Sequence, residues 1–166
     1  LSSLFLGKEM LVVVDDVLNE QQEKEIQGYC QFPVPFNWKD FTLNDAEKLS
    51  DSAVGSLLLS VSKFFDLSSM VGFEYWVNYN VDKGWHYDTD ESNTEGNYPI
   101  CSIVYYPKVG LISGGNFITE HVSIKPKQNS LLCFSPGIHH CVEKFEGQRI
   151  SLAINPWSYK VKPTYV

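Results

Sequence analysis

Up to about residue 70 the apolar positions recur mainly at helical spacing, and beyond it they fall in short aromatic and β-branched runs roughly ten residues apart. Met10 to Val14 is a β-branched run ended by Asp15 and Asp16, and it predicts a first strand. A helix is expected over Glu20 to Cys30. Asn19 stands at its cap, Gln22 follows three positions on, and Gly28 weakens its end. Phe32 to Phe41 holds two prolines and reads as irregular chain. Asn44 then offers a second cap, with Glu47 at the capping-box position. Ala46, Leu49, Ala53, Leu57, Val61, Phe64 and Phe65 follow at helical spacing, which predicts the longest helix of the chain, packed against a sheet.

From Val71 onward the expected strands are Gly72 to Tyr79, Trp85 to Tyr87, Ile100 to Tyr106, Asn116 to Thr119, Val122 to Ile124, Ser130 to Phe134, His139 to Glu143 and Arg149 to Ile154. Glycine, proline, asparagine and lysine separate them. Their number suits a mainly β fold of the double-stranded β-helix type, a cupin-like jelly roll with supporting N-terminal helices. No internal repeat, low-complexity stretch or linker divides the sequence, so one domain is expected over 1–166. Residues 1–70 would form its supporting part and residues 71–157 its core.

The chain of 166 residues carries a net charge of −7 and a pI near 5.0. That balance argues against a sequence-independent hold on nucleic acid, which relies on lysine and arginine replacing phosphate counterions. Cys30, Cys101, Cys133 and Cys141 form no Cys-x-x-Cys pair and no zinc-finger spacing, so reduced, buried thiols are expected. The apolar stretch from Leu1 to Val14 is interrupted by Gly7, Lys8 and Glu9 and has no basic start, unlike a signal peptide. No run of about 18 apolar residues predicts a membrane span. A cytoplasmic location and no membrane partner are the expectation.

Chemistry concentrates in the second half. In an extended strand, side chains two apart share a face, so His86 and Asp88 can reach one metal ion while Tyr87 turns away. His139 and His140 compete for the third ligand position. His140 shares its face with Val142, which favours it over His139 as the inward member; Asp90 is a poorer-spaced substitute for Asp88. His121 precedes a short strand and has no carboxylate partner in pattern, so a solvated role suits it. Two imidazoles and a carboxylate on one face of a divalent metal leave open positions for other ligands. Arg149 is the only arginine of the chain, and Ser151 shares its face. A guanidinium pointing inward needs an anion, either a carboxylate of the chain or, the preferred reading, an incoming dicarboxylate bound through paired hydrogen bonds.

These residues carry a resemblance. Tyr79 followed by Asp82-Lys-Gly-Trp-His-Tyr-Asp88, then Ser102-Ile-Val-Tyr-Tyr, Gly114-Gly-Asn-Phe, the stretch from Ile124 to Phe134, His140-Cys-Val, Glu146-Gly147 and Arg149-Ile-Ser resemble the iron(II)- and 2-oxoglutarate-dependent dioxygenases. The likeness is to their prolyl 4-hydroxylase-like branch. It covers most of residues 71–157, and Val12-Val-Val-Asp-Asp-Val-Leu is similar to the family's opening strand and helix. The resemblance implies that His86, Asp88 and His140 bind Fe(II) and that Arg149 pairs with the 5-carboxylate of 2-oxoglutarate. Ser151 or Tyr79 would add a hydroxyl contact. It implies a hydroxylase that consumes O2 and 2-oxoglutarate, releases succinate and CO2, and uses ascorbate as a reductant. The substrate would be a peptidyl residue, proline first, or a small molecule. Collagen-type members of the family generally carry lysine where this chain has Arg149.

Two rival readings remain at this stage. One is a cupin-like protein that binds metal and a carboxylate without oxygen chemistry; the other, weaker because it leaves Arg149 and Ser151 idle, is a zinc hydrolase. The polar stretch from Thr89 to Asn97 is expected to act as a lid or substrate loop beside the ligands.

Overall fold

A computed structural model describes residues 2–6, 9–90 and 97–162. Eight short segments of the second half form two facing antiparallel sheets, and the first half adds three strands and three helices to one of them. In chain order the elements are β1 (Ser2–Leu6), β2 (Glu9–Val14), α1 (Glu20–Tyr29), β3 (Val34–Asp40), α2 (Leu43–Lys48), α3 (Ala53–Ser62), β4 (Gly72–Tyr79), β5 (Lys83–His86), β6 (Ser102–Gly114), β7 (Phe117–Thr119), β8 (Ser123–Ile124), β9 (Leu131–Phe134), β10 (His140–Val142) and β11 (Phe145–Trp157). The large sheet has the order β1-β2-β9-β6-β11-β4-β3, the small one β5-β10-β7-β8. This is the jelly roll that the strand spacing predicts.

Helix α1 starts where its cap dictates. The Asn19 side chain accepts from the Gln22 amide at 2.9 Å, and the Gln22 side chain returns the bond to the Asn19 amide at 3.1 Å. The long helix expected from Asn44 to Phe65 is instead two helices. Thr42, not Asn44, caps α2, with Asp45 completing the capping box. Ser52 then caps α3, its hydroxyl donating to the Leu49 carbonyl at 2.7 Å and accepting from the Gly55 amide at 3.0 Å. Gly55 makes the corner feasible, because a Cβ there would lie 2.0 Å from the Leu49 carbonyl oxygen.

Two strands had no counterpart in the sequence expectations. The segment with Pro33 and Pro35 forms β3, an edge strand whose irregular register between Val34 and Asn37 accommodates a residue without an amide proton. β1 adds a further edge strand, pairing antiparallel with β2.

The large sheet is buried on both faces. Ile26, Leu57, Leu58 and Val61 of the helices pack on one face, against Phe73, Val77, Ile150, Leu152 and Ile154. A second cluster, Leu11, Phe117, Leu132, Phe134 and Ile138, lies apart from it. Alternation along β9 links the two, with Leu131 and Cys133 in the first cluster and Leu132 and Phe134 in the second. All four cysteines are free and buried, and burial pushes the Cys30 and Cys133 thiols up to about 12. Among the described residues no helix is long and apolar enough to cross a membrane.

Candidate active site

Strands β5 and β10 lie side by side with His86 directly opposite His140, so one sheet delivers both imidazoles to one place. Their rings are 4.2 Å apart between centroids. Asp88 follows β5 and sets one carboxylate oxygen 3.5 Å from His86 Nε2 and 3.7 Å from His140 Nε2. The three ligand-type atoms all lie within 4.8 Å of one another. Each histidine is oriented from behind. His86 Nδ1 donates to the Gly84 carbonyl at 2.7 Å and His140 Nδ1 to the Ile138 carbonyl at 2.8 Å. A carbonyl only accepts, so both Nδ1 atoms carry a proton, and both Nε2 atoms face the cluster.

The electrostatics point the same way. Burial lowers the pKa of His140 below the ordinary imidazole value, against the opposing pull of Asp88, and keeps the ring neutral. Phe117 and Phe134 pack against that ring at 5.2 and 5.0 Å. Burial pushes the Asp88 carboxyl up, but contacts from His86, His140 and the Ser102 hydroxyl outweigh it and hold the group below the usual carboxylate value. A neutral imidazole at His140, a second imidazole at His86 and an ionised carboxylate at Asp88 are the kind of donor set a divalent transition metal takes, so the residues fit such an ion.

Arg149 approaches from the other sheet. It sits on β11, is almost completely buried, and lines the same cavity as His86, Asp88, His140 and Ser151. Its Nε donates to the Gly115 carbonyl at 2.9 Å, its NH2 to the Tyr106 hydroxyl at 3.2 Å, and its guanidinium carbon is 5.0 Å from the Tyr106 ring centre. Gly115, at φ +78°, leaves room for this, since a Cβ would meet Arg149 Cδ at 3.2 Å. No carboxylate lies within ion-pair distance of Arg149 among the described residues. The guanidinium is therefore aimed and fixed by neutral groups, and its charge is left without an internal counter-ion.

Five of the six sequence-predicted residues, His86, Asp88, His140, Arg149 and Ser151, converge on this cavity. Tyr79 does not. It lies on the opposite face of β4, packed against the helix-side core, while Asn78 takes the cavity side. Both faces of β4 are buried, so alternation alone does not say which one meets the cavity. His139 points away from the triad, stacked on Tyr87 at 4.6 Å and near Trp85 at 5.0 Å. Asp90 accepts from the Tyr159 hydroxyl and stands outside the triad, and His121 is exposed. Of the expected lid, residues 91–96 lie outside the described residues. Lys83 and Asn155 also line the cavity without a sequence signal having singled them out; inward alternation on β11 is the signal that reaches Asn155.

No family model matches the sequence, and no curated protein sequence matches it. Solved structures do match in shape. An oxidoreductase of the 2OG-Fe(II) oxygenase family from Burkholderia pseudomallei aligns with a TM-score of 0.61 at 14% identity, over 92% of this chain and 86% of its own. A prolyl-4-hydroxylase from Pseudomonas putida gives 0.60 at 15%, over 90% and 93%. The viral collagen prolyl hydroxylase of Paramecium Bursaria Chlorella virus-1, in its 2OG complex, gives 0.56 at 12%, over 88% and 94%. The chain thus has the double-stranded β-helix fold found in 2OG-Fe(II) oxygenases and prolyl hydroxylases.

Proposed function

We propose that this protein is an Fe(II)- and 2-oxoglutarate-dependent dioxygenase that hydroxylates a peptidyl residue, proline being the leading candidate, or a small molecule. The observation that carries the reading is the pairing, in one cavity, of a His-Asp-His cluster with a buried arginine that has no carboxylate partner among the described residues. His86, Asp88 and His140 would hold the metal, and Arg149 with Ser151 would bind the far carboxylate of 2-oxoglutarate. When bound, iron supplies the redox chemistry by which O2, 2-oxoglutarate and a C–H bond become succinate, CO2 and an alcohol, one oxygen atom going to succinate and the other to the substrate. The chain's own part is placement. The carbonyls of Gly84 and Ile138 fix the imidazoles, Gly115 and Tyr106 aim the guanidinium, and Phe117 and Phe134 keep water from one side of His140. The three solved structures named above support the reading through their fold and through the 2-oxoglutarate bound in one of them.

The test is aerobic incubation with Fe(II), ascorbate and carbon-labelled 2-oxoglutarate, followed by mass spectrometry for succinate. Slow succinate release is expected without substrate, and none from His140→Ala. Tight 2-oxoglutarate binding with no succinate under any added peptide or metabolite mixture would leave a cupin-like binding protein as the correct description.

A further inference from the structure

A second cleft opens beside the His-Asp-His cluster. Trp76, Lys83, His86, Asp88 and Asn155 line both it and the Arg149 cavity, while Phe36, Glu74 and Lys162 belong to the cleft alone. Its wall is aromatic, with the Phe36 and Trp76 rings 4.4 Å apart. The Lys83 ammonium lies over both rings, 5.8 Å from Phe36 and 5.5 Å from Trp76. A cation over ring faces keeps its N–H groups for another partner.

Two residues that line this cleft carry donors without an acceptor among the described residues. Trp76 is 7% exposed, and its Nε1 is the buried side-chain polar atom without a hydrogen-bond partner among the described residues. Such an atom costs free energy unless something arrives to accept from it. Lys83 is only partly exposed, and no carboxylate stands within ion-pair distance of its Nζ among the described residues. Of the two carboxylates that line the cleft, Asp88 belongs to the triad, and Glu74 Oε1 already accepts from Trp157 Nε1 at 3.1 Å. Lys162 brings a second ammonium to the rim, in a chain whose net charge is −7.

The geometry points to a substrate that carries a carboxylate, bound with that group between Lys83 Nζ and Trp76 Nε1 and with its reacting carbon toward the His-Asp-His cluster. The pair acts as a specificity determinant. A neutral side chain in place of the carboxylate would leave the indole N–H buried and unpaired and the ammonium uncompensated, a mismatch that discriminates far more sharply than a missing methylene. This assignment rests on the dioxygenase reading for the direction of the reacting carbon, but the carboxylate pair itself does not.

Nuclear magnetic resonance of the indole N–H groups tests it, with the Trp76 signal assigned by Trp76→Phe. The probes are N-acetyl-L-proline and N-acetylglycine against their carboxamides, titrated into protein loaded with Zn(II) and 2-oxoglutarate and, in parallel, into protein with neither. Saturable movement of the Trp76 signal is expected with the carboxylates in both samples, at affinities at least about tenfold above those of the amides. Lys83→Met should remove that preference in the sample without metal and 2-oxoglutarate as well as in the loaded one. Equal binding of acids and amides, no movement of the Trp76 signal, or displacement of 2-oxoglutarate by the acids would each overturn the assignment. Failure of 2-oxoglutarate to bind at all would instead sink the dioxygenase reading, and the metal-free titration would still decide the carboxylate pair.

Discussion

Adjacent residues in this chain have opposite fates because a strand alternates. His140 is buried with its Nε2 near Asp88, and His139 is stacked outside between Tyr87 and Trp85. Substituting the inner histidine removes one of the three ligand-type side chains of the cluster, whereas substituting the outer one removes only ring contacts and a 4.0 Å approach to Glu120. His140→Ala is expected to weaken Mn(II) binding beyond the roughly 10–100-fold that loss of an outer partner costs. His139→Ala should change it less than about threefold. Equilibrium dialysis distinguishes the two, and the reverse order would move the third ligand position from His140 to His139. This much was legible in the sequence because it depends only on a period of two and on the two-residue spacing of His86 and Asp88. Tyr79 shows the limit of the same rule. Alternation separates the faces of β4, but the helices that cover one face come from residues 20–62, and no local pattern says which face they take.

At the scale of elements, the readable features are those that neighbours in sequence decide. The Asn19–Gln22 capping box marks the start of α1 because both partners are three residues apart. The break between α2 and α3 has no such signature, since Ser52 and Gly55 are individually tolerable inside a helix and only the Leu49 carbonyl, folded back over both, makes them a corner. Strand β3 was hidden for the opposite reason. Its proline, Pro35, disfavours a central strand but not an edge, and the edge is defined by β4, more than thirty residues later. The corner gives a prediction of sign. Gly55→Ala places a Cβ 2.0 Å from the Leu49 oxygen and should destabilise the protein by about 3 kcal/mol. Gly28→Ala, in an exposed position of α1 with nothing within 4 Å of the new Cβ, should stabilise it by about 0.5–1 kcal/mol. Urea unfolding of both variants reads the two effects, and a neutral Gly55→Ala would show that the corner can open at little cost.

For the whole molecule, the decisive arrangement is that the site and the main core sit on opposite faces of the large sheet. The main cluster, from Ile26 and Leu57 to Ile154, joins the helices to one face, and no ligand-type residue of the triad belongs to it. The cavity lies between the sheets, with the triad on or beside the small one and Arg149 on the large one. A metal held by the triad would contact residues on or beside the small sheet alone, and the main core that joins the helices to the large sheet is built without it. Chelation should therefore leave a cooperative thermal transition, unlike a small domain that folds only around its ion. Ligands that bind the native state alone then add stability by mass action. Mn(II) and 2-oxoglutarate, each at about 100 times its dissociation constant, contribute about 2.7 kcal/mol apiece. For a chain of this size that raises Tm by roughly 5–10 °C per ligand. Arg149→Met removes the cation that the dicarboxylate neutralises, so it should keep the Mn(II) increment and lose most of the 2-oxoglutarate increment. Differential scanning calorimetry of the chelated and the ligand-loaded forms of both proteins measures each increment. A chelated protein without a cooperative transition would mean that the metal builds the fold, and an unchanged 2-oxoglutarate increment in Arg149→Met would mean that the far carboxylate is held elsewhere.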